Sequence, residues 1–435
     1  MKTTPPVTIQ RPIAFDLTRL VTRLRHTSPS GIDRVDLAYA HAVLDGPGEG
    51  VGVVSTAFGP RVLDKDEARA VVAAVEAGWV EDRPARDDPA YRRLAERLGA
   101  RVPVEAQAPT SRRGSSDRDR RLIQARTLAR ILARSRPVSA LPRDSLYLHT
   151  SHLRLDRPGR FDWLYDRQDV RAAFFVHDVI PITHPEYGRA GEAARHETRM
   201  RTIGRHAAAI LVNSEDTGRR TLQLLDAWGY PKPPVAVGHL GVEPAFGRDG
   251  ERLVLPGPTF VACGTIESRK NHLLLFQLWR VLAERHGART PRLVVVGRRG
   301  WEAESAIDML ERCPGVRDHV IEASGLSTHG LAALMRSCTA LLMPSFTEGY
   351  GIPVVEAAAS GLPVVASDIP AHREIAEGFA LFRDPLDGPG WLAAIESLAE
   401  ADSPRRAEMA DRLAGYHPPA WAGHFAAVTP VLAAL

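Results

Sequence analysis

The sequence predicts an α/β protein with parallel sheets, and two observations carry that prediction. Short β-branched and aliphatic runs alternate with helical patterns almost from end to end, as in strands joined by crossover helices. At 435 residues the chain is also too long for one ordinary core, so two domains are expected. The strands expected in the first half are Ile13–Leu17, Val51–Thr56, Leu146–His149, Ala173–His177, Ile210–Asn213 and Val235–Gly238. The second half repeats the rhythm with Phe260–Gly264, Leu293–Gly297, Val320–Ala323, Ala340–Met343 and Val364–Ser367. Intervening helices carry apolar residues three and four apart, such as Leu274, Phe276, Leu278 and Leu282. The polar piece Phe246-Gly247-Arg248-Asp249-Gly250-Glu251 separates the two series. It divides the chain into a unit over 1–248 and a second from 249 to about 415. Two Rossmann-like halves facing each other across a cleft follow, with ligands expected at the strands' carboxyl ends.

Composition narrows the function classes. No apolar run approaches a membrane span, and Met1-Lys2-Thr3-Thr4-Pro5-Pro6 has no signal-like apolar core. Cys263, Cys313 and Cys338 are scattered without metal-like spacing and read as reduced thiols of a cytoplasmic protein. The formal charge of +4 is mild; a nucleotide substrate satisfies it, and no nucleic-acid partner is expected. Residues 112–136 depart from the general rhythm, with Arg112, Arg113, Arg118, Arg120, Arg121, Arg126, Arg130, Arg134 and Arg136 around Leu122, Leu128, Ile131 and Leu132. Two readings stay open: an amphipathic helix on the anionic inner face of the cell membrane, or an insertion with solvated arginines.

The chemistry concentrates on two glycine turns in the second half. Glu348-Gly349-Tyr350-Gly351-Ile352-Pro353-Val354-Val355-Glu356 lies between an apolar strand and a helix start. Such a unit aims unpaired amides and a positive dipole end above the sheet, which suits phosphates. Its carboxylates cannot bind phosphate, so they face sugar or ribose hydroxyls. Gly264-Thr265-Ile266-Glu267-Ser268-Arg269-Lys270-Asn271 is the second turn. Cations in a first helical turn are unfavourable unless an anion compensates them.

The first half offers acceptor-side candidates. His177 and Asp178 end an apolar strand; His177 either donates to a sugar hydroxyl or merely satisfies a backbone carbonyl. Gly31 permits close backbone approach and Arg34 meets an anion, both within Ser28-Pro29-Ser30-Gly31-Ile32-Asp33-Arg34-Val35. Asn213-Ser214 ends another strand and opens a helix, a pair as readily structural as functional. Asp117-Arg118-Asp119 and Asp64-Lys65-Asp66 have metal-transferase spacing but sit in charge runs, so no metal site is expected. A glycosidase with paired carboxylates has no use for a phosphate cradle.

Together these residues resemble the retaining GT-B glycosyltransferases of family four, most strongly across Thr259 to Arg373. Glu348 and Glu356 meet the E-x(7)-E pattern inside Pro-Ser-Phe-Thr-Glu-Gly-Tyr-Gly-Ile-Pro and Ala-Ser-Gly-Leu-Pro-Val-Val-Ala-Ser. The run Gly-Thr-Ile-Glu-Ser-Arg-Lys-Asn is similar to a subset of bacterial mannosyltransferases of capsule, O-antigen and exopolysaccharide assembly. It has Thr265 where the family often has arginine. The resemblance implies that Glu348 holds the donor sugar and Glu356 the ribose. It gives the diphosphate to Thr265, Arg269, Lys270 and the amides of Gly349, Tyr350, Gly351 and Ile352. Gly325 and Leu326 would touch the base, and the tail over 416–435 would cross back onto the first domain. The catalytic candidates are His177, Glu348 and Lys270; Gly31, Arg34, Asp178 and Asn213 are acceptor-side. The implied reaction is retaining, metal-independent hexosyl transfer without a cofactor, from GDP-mannose or a UDP-sugar to a saccharide or lipid-linked saccharide. An epimerase or phosphorylase on the same fold, or a non-catalytic nucleotide-sugar-binding subunit, is the alternative.

Overall fold

The computed structural model describes residues 9–26, 29–79, 83–101 and 117–435. Ser28, Arg112, Arg113 and the side chains of Asp117, Arg118 and Asp119 lie outside the described residues. The first lobe contains β1 (Ile13–Asp16), β2 (Gly50–Thr56), β3 (Gly59–Leu63), β4 (Arg136–Pro137), β5 (Leu146–His149), β6 (Arg171–Val176), β7 (Ala207–Val212) and β8 (Val235–Val237). The second contains β9 (Thr259–Cys263), β10 (Arg292–Val296), β11 (Val320–Ala323), β12 (Ala340–Met343), β13 (Val364–Ser367) and β14 (Leu381–Arg383). Their orders are β4-β3-β2-β1-β5-β6-β7-β8 and β11-β10-β9-β12-β13-β14. Each order reverses at one place, between β1 and β5 and between β9 and β12, and such switch points open a crevice above the strand ends.

Each sheet is covered on both faces, and period-two alternation distributes its side chains. On β6, Ala173 and Phe175 enter one core while Phe174 and Val176 enter the other. On β9, Phe260 and Ala262 face one side and Val261 and Cys263 the opposite. The second sheet is parallel throughout. The first is not: β3 runs antiparallel to both β2 and β4. The strand β3 went unanticipated because Gly59 and Pro60 argue against a strand; β4 pairs only with Arg61 and Val62, so these two residues need no ladder on that side. The three-residue β14 is too short to give a periodic signal.

Two segments tie the lobes together. The helix Pro89–Arg97 precedes residue 248 in sequence yet packs on the second lobe, where Tyr91, Leu94, Ala95 and Leu98 join the core containing Ala332, Ala333 and Met335. Arg101 exchanges 3.1 Å backbone hydrogen bonds with Val254. In the opposite direction, the helix Trp421–Ala433 returns to the first lobe, burying Phe425, Val428 and Leu432 among its core residues. His424 on that helix contacts the Tyr39 hydroxyl at 2.7 Å and the Gly238 carbonyl at 2.9 Å. Removing the Phe425 ring leaves a cavity under this helix. Phe425→Ala is expected to lower unfolding free energy by about 3–5 kcal/mol, measured by chemical denaturation.

Candidate active site

The two switch points face each other, and a cavity of about 720 Å³ lies between them, lined from one lobe by Gly31, His177, Asp178 and Asn213 and from the other by Thr265, Arg269, Lys270 and Glu348 to Pro353. On the second lobe β9 ends in the turn that carries Arg269 and Lys270, and Asn271, with φ 54°, caps the helix His272–His286. Next to it β12 ends in the turn to the helix Ile352–Ala359, capped by Gly351 at φ 105°. Neighbouring strands thus bring residues 78 or 79 apart in sequence into contact. Lys270 Nζ donates to Glu348 Oε1 at 2.5 Å, and an Arg269 guanidinium nitrogen donates to Glu348 Oε2 at 2.7 Å. Arg269 also donates to Glu267 Oε1 at 2.7 Å and to the Thr347 carbonyl at 2.8 Å. Burial alone pushes the Glu348 carboxyl up, but the Arg269 guanidinium and Lys270 ammonium hold it well below the usual carboxylate range.

The loop Gly349–Ile352 is clamped by the first lobe. The Gly349 carbonyl accepts from Ser214 Oγ at 2.7 Å and Thr217 Oγ1 at 3.2 Å. A Cβ on Gly349 would lie 2.5 Å from the His177 carbonyl and 2.9 Å from Asp178 Cβ, so only glycine lets the lobes meet here. The Tyr350 side chain leaves the cavity, burying its ring in the first-lobe core and pointing its hydroxyl at the Leu240 carbonyl, 3.4 Å away. Only its backbone remains in the loop. Ile352 likewise packs its side chain against that core.

On the first lobe, His177 resolves the two roles that its sequence position leaves open. Its Nε2 donates to the Thr150 carbonyl at 2.7 Å, which fixes the tautomer and leaves Nδ1 a hydrogen-bond acceptor. The structure thus gives His177 the backbone-carbonyl bond, and its Nδ1 can accept a hydrogen bond but cannot donate one. Burial lowers its pKa to about 4, so it is neutral near pH 7. Asn213 Nδ2 donates to the His177 carbonyl at 3.0 Å and fixes the same strand end. Asp178 accepts from the Ile180 amide at 3.1 Å. Gly31 opens the helix Gly31–Leu44 behind a capping box of Ser30 and Asp33.

Arg34, read as meeting an anion, and Glu356, given to the ribose by the resemblance, meet each other at 2.8 Å across the lobes. Arg34 also approaches Thr328 Oγ1 at 3.5 Å. Gly325 and Leu326 lie beyond the end of β11, on the loop to the helix Thr328–Ser337. They do not line the cavity around Lys270. Sequence reasoning missed a cluster of His152, His177 and His196, with ring centroids 4.9 and 5.4 Å apart from His152. It also missed an aromatic pair across the cleft: Tyr187 and Phe346 stack with centroids 5.6 Å apart and planes within 3°. Trp301 donates to the Tyr187 carbonyl at 3.0 Å beside them. None of these sets has a spacing that could have announced it. Among the described residues, no group of three or more His, Cys, Asp or Glu is placed to hold a metal ion, and no helix is long and apolar enough to cross a membrane.

Residues 257–401, within the second lobe, match the family described as Glycosyl transferases group 1. Serotype-specific mannosyltransferase WbdA of Escherichia coli is 30% identical over 53% of this chain and 31% of its own length. O-antigen chain mannosyltransferase B of Escherichia coli is 27% identical over 56% of this chain and 65% of its own length. The chain spans about a third of the length of the first of these. Among solved structures, Anabaena Alr3699/HepE in complex with UDP and glucose is similar with a TM-score of 0.61 at 15% identity, over 98% of this chain and 100% of that one. The likeness is one of fold, and it gives this chain the GT-B architecture.

The buried ion cluster makes stability depend on pH in a defined direction. A carboxyl held below its ordinary value of 4.5 contributes stability that is present above that pH and lost as the pH falls toward the folded value. Glu348→Gln should destabilise the protein at pH 7 by about 3–5 kcal/mol, because two cations lose a buried partner. It should also flatten the loss of stability below pH 4.5, measured by denaturant unfolding across pH.

Proposed function

We propose that this protein transfers a hexose, mannose foremost, from a nucleotide diphosphate sugar to a hydroxyl of a saccharide or lipid-linked saccharide. Configuration is retained and no metal ion takes part. The observation that carries the reading is Lys270, a cavity-lining ammonium bonded to the Glu348 carboxylate beside the amides of Gly349–Ile352. Arg269 is held between Glu267 and Glu348, so its charge is already matched and it positions the turn. Lys270 has Glu348 as its one carboxylate contact within 4 Å among the described residues, so a diphosphate that displaces this carboxylate meets the full charge of the ammonium. The names of the mannosyltransferase relatives support mannose, and GDP-mannose is the first donor to test, with UDP-sugars next; HepE's complex with UDP and glucose supports a nucleotide sugar.

In this mechanism the bond from the sugar's anomeric carbon to the diphosphate oxygen breaks, and negative charge grows on the leaving group. Lys270 and the amides at the start of the helix Ile352–Ala359 stabilise that charge, as an oxyanion hole does. Glu348 turns its carboxylate to the sugar hydroxyls, and His177 Nδ1 accepts from another. The acceptor oxygen forms the new bond on the same face, and its proton passes to the departing phosphate oxygen. The clamp from Ser214 and Thr217 onto Gly349 keeps the lobes together and water out, which suppresses donor hydrolysis. The helix Asp117–Arg134 supplies contact with an anionic bilayer: Leu122, Leu128 and Leu132 are exposed, while Ile131 is buried and anchors the helix to the first-lobe core.

The test is nucleoside diphosphate release from a panel of nucleotide sugars with saccharide acceptors. Lys270→Ala and Glu348→Ala should each lower kcat/KM by on the order of 10²–10³ while the protein stays folded, the usual cost of one such group. Near-normal rates in both variants would overturn the reading. For the membrane contact, the chain should co-sediment with anionic vesicles, and Leu128→Ser with Leu132→Ser should weaken that sedimentation; equal sedimentation would remove the helix from the account.

A further inference from the structure

Behind the first-lobe wall of the cavity runs a buried chain of polar groups. Asp36, on the helix Gly31–Leu44, and Thr150, just past β5, are each 1% exposed. Thr150 Oγ1 donates to Asp36 Oδ1 at 2.7 Å. Asp36 Oδ2 has no hydrogen bond and lies 3.8 Å from Arg19 Nε, which donates to Asp33 Oδ1 at 2.6 Å. A carboxyl buried this deeply is costly unless partners offset its lost hydration, and Thr150 is its one hydrogen-bond partner among the described residues. Burial pushes the carboxyl up, to about 8, and Oδ1 accepts from the hydroxyl in either protonation state.

Thr150 is where this bond acts. Pairing of β5 with β6 ends at His149, opposite Phe174, so the sheet does not set the next peptide. Yet the carbonyl of that peptide accepts from His177 Nε2 at 2.7 Å, and His177 lines the cavity. The hydroxyl bond to Asp36 holds Thr150 in one rotamer and thereby aims its carbonyl. We propose that Asp36 is a positioning residue for the transfer step: by holding the Thr150 hydroxyl it fixes the Thr150 carbonyl, and through that carbonyl the tautomer and ring plane of His177. Without this support the ring loses its fixed donor nitrogen, and Nδ1 is no longer always bare toward a hydroxyl. A reacting group displaced by a fraction of its working distance loses rate even when the protein stays folded. The inference rests on the role given to His177 Nδ1 under the proposed function.

The experiment reads the ring directly. Nitrogen-15 spectra of the full chain labelled at histidine, with His177 assigned by its loss in His177→Gln, should show one Nε2-protonated tautomer. Thr150→Val should give a mixture of tautomers, and Thr150→Ser, which keeps the hydroxyl, should restore the single form. Because Thr150→Val leaves Asp36 buried without its partner, Asp36→Leu combined with Thr150→Val is the companion; it removes both partners together and spares the fold. It too should give the mixture. In turnover of GDP-mannose, Thr150→Val should lower kcat by about tenfold, the worth of one hydrogen bond to a charged group. In a His177→Ala background it should lower kcat no further, since residues acting through one another are not additive. An unchanged tautomer in both Thr150→Val and the combined variant would overturn the positioning role, and so would equal losses of rate with and without His177. If His177→Ala kept the full rate, the role of His177 in transfer would fall and Asp36's share with it, while the tautomer result stood.

Discussion

Two cations and two carboxylates buried where the lobes meet constrain everything around them. Arg269 and Lys270 stand against Glu267 and Glu348, so the cluster is near neutral as a whole. A buried charge stripped of its partner is strongly destabilising, and the balance therefore fixes which side chains may change. It also explains why the turns after β9 and β12 are so tightly coupled: the first carries both cations with Glu267, and the second supplies Glu348, the carboxylate that completes the balance. In the proposed mechanism an incoming diphosphate takes over part of Glu348's work, and the carboxylate it displaces is then available to hydroxyls. Anion binding and sugar binding are, on that proposal, two halves of one exchange.

The fold was legible wherever the signal was local. Alternating strands and helices and the two glycine turns all follow from short stretches of sequence. The strand ends were each placed within a few residues, because buried parallel strands read as plain apolar runs. The antiparallel edge was not legible, since Gly59 and Pro60 mask a strand that only tertiary position permits. Neither was the helix Pro89–Arg97, whose amphipathic face gives no indication of which lobe it will cover.

The candidate site divides along the same line. Glu348, Lys270 and Arg269 could be named because each sits beside a glycine turn at a strand end, and the structure brings all three together. The pairing of Arg34 with Glu356 could not, as 322 residues separate them. His177 was recognisable as a strand-end histidine, yet its tautomer depends on the Thr150 carbonyl, 27 residues away. Positions could be read from neighbours in the chain, and hydrogen-bond roles only from neighbours in space.

The stack of Tyr187 on Phe346 adds a mechanical consequence. Two near-parallel rings hold each other by many weak, undirected contacts, whereas hydrogen bonds weaken steeply once their angle fails. Trp301 adds such a directed bond to the Tyr187 carbonyl beside the rings, and Ser214 and Thr217 place others on the Gly349 carbonyl. Both flanks of the crevice are thus latched by directed bonds, so the two halves part only when both latches let go.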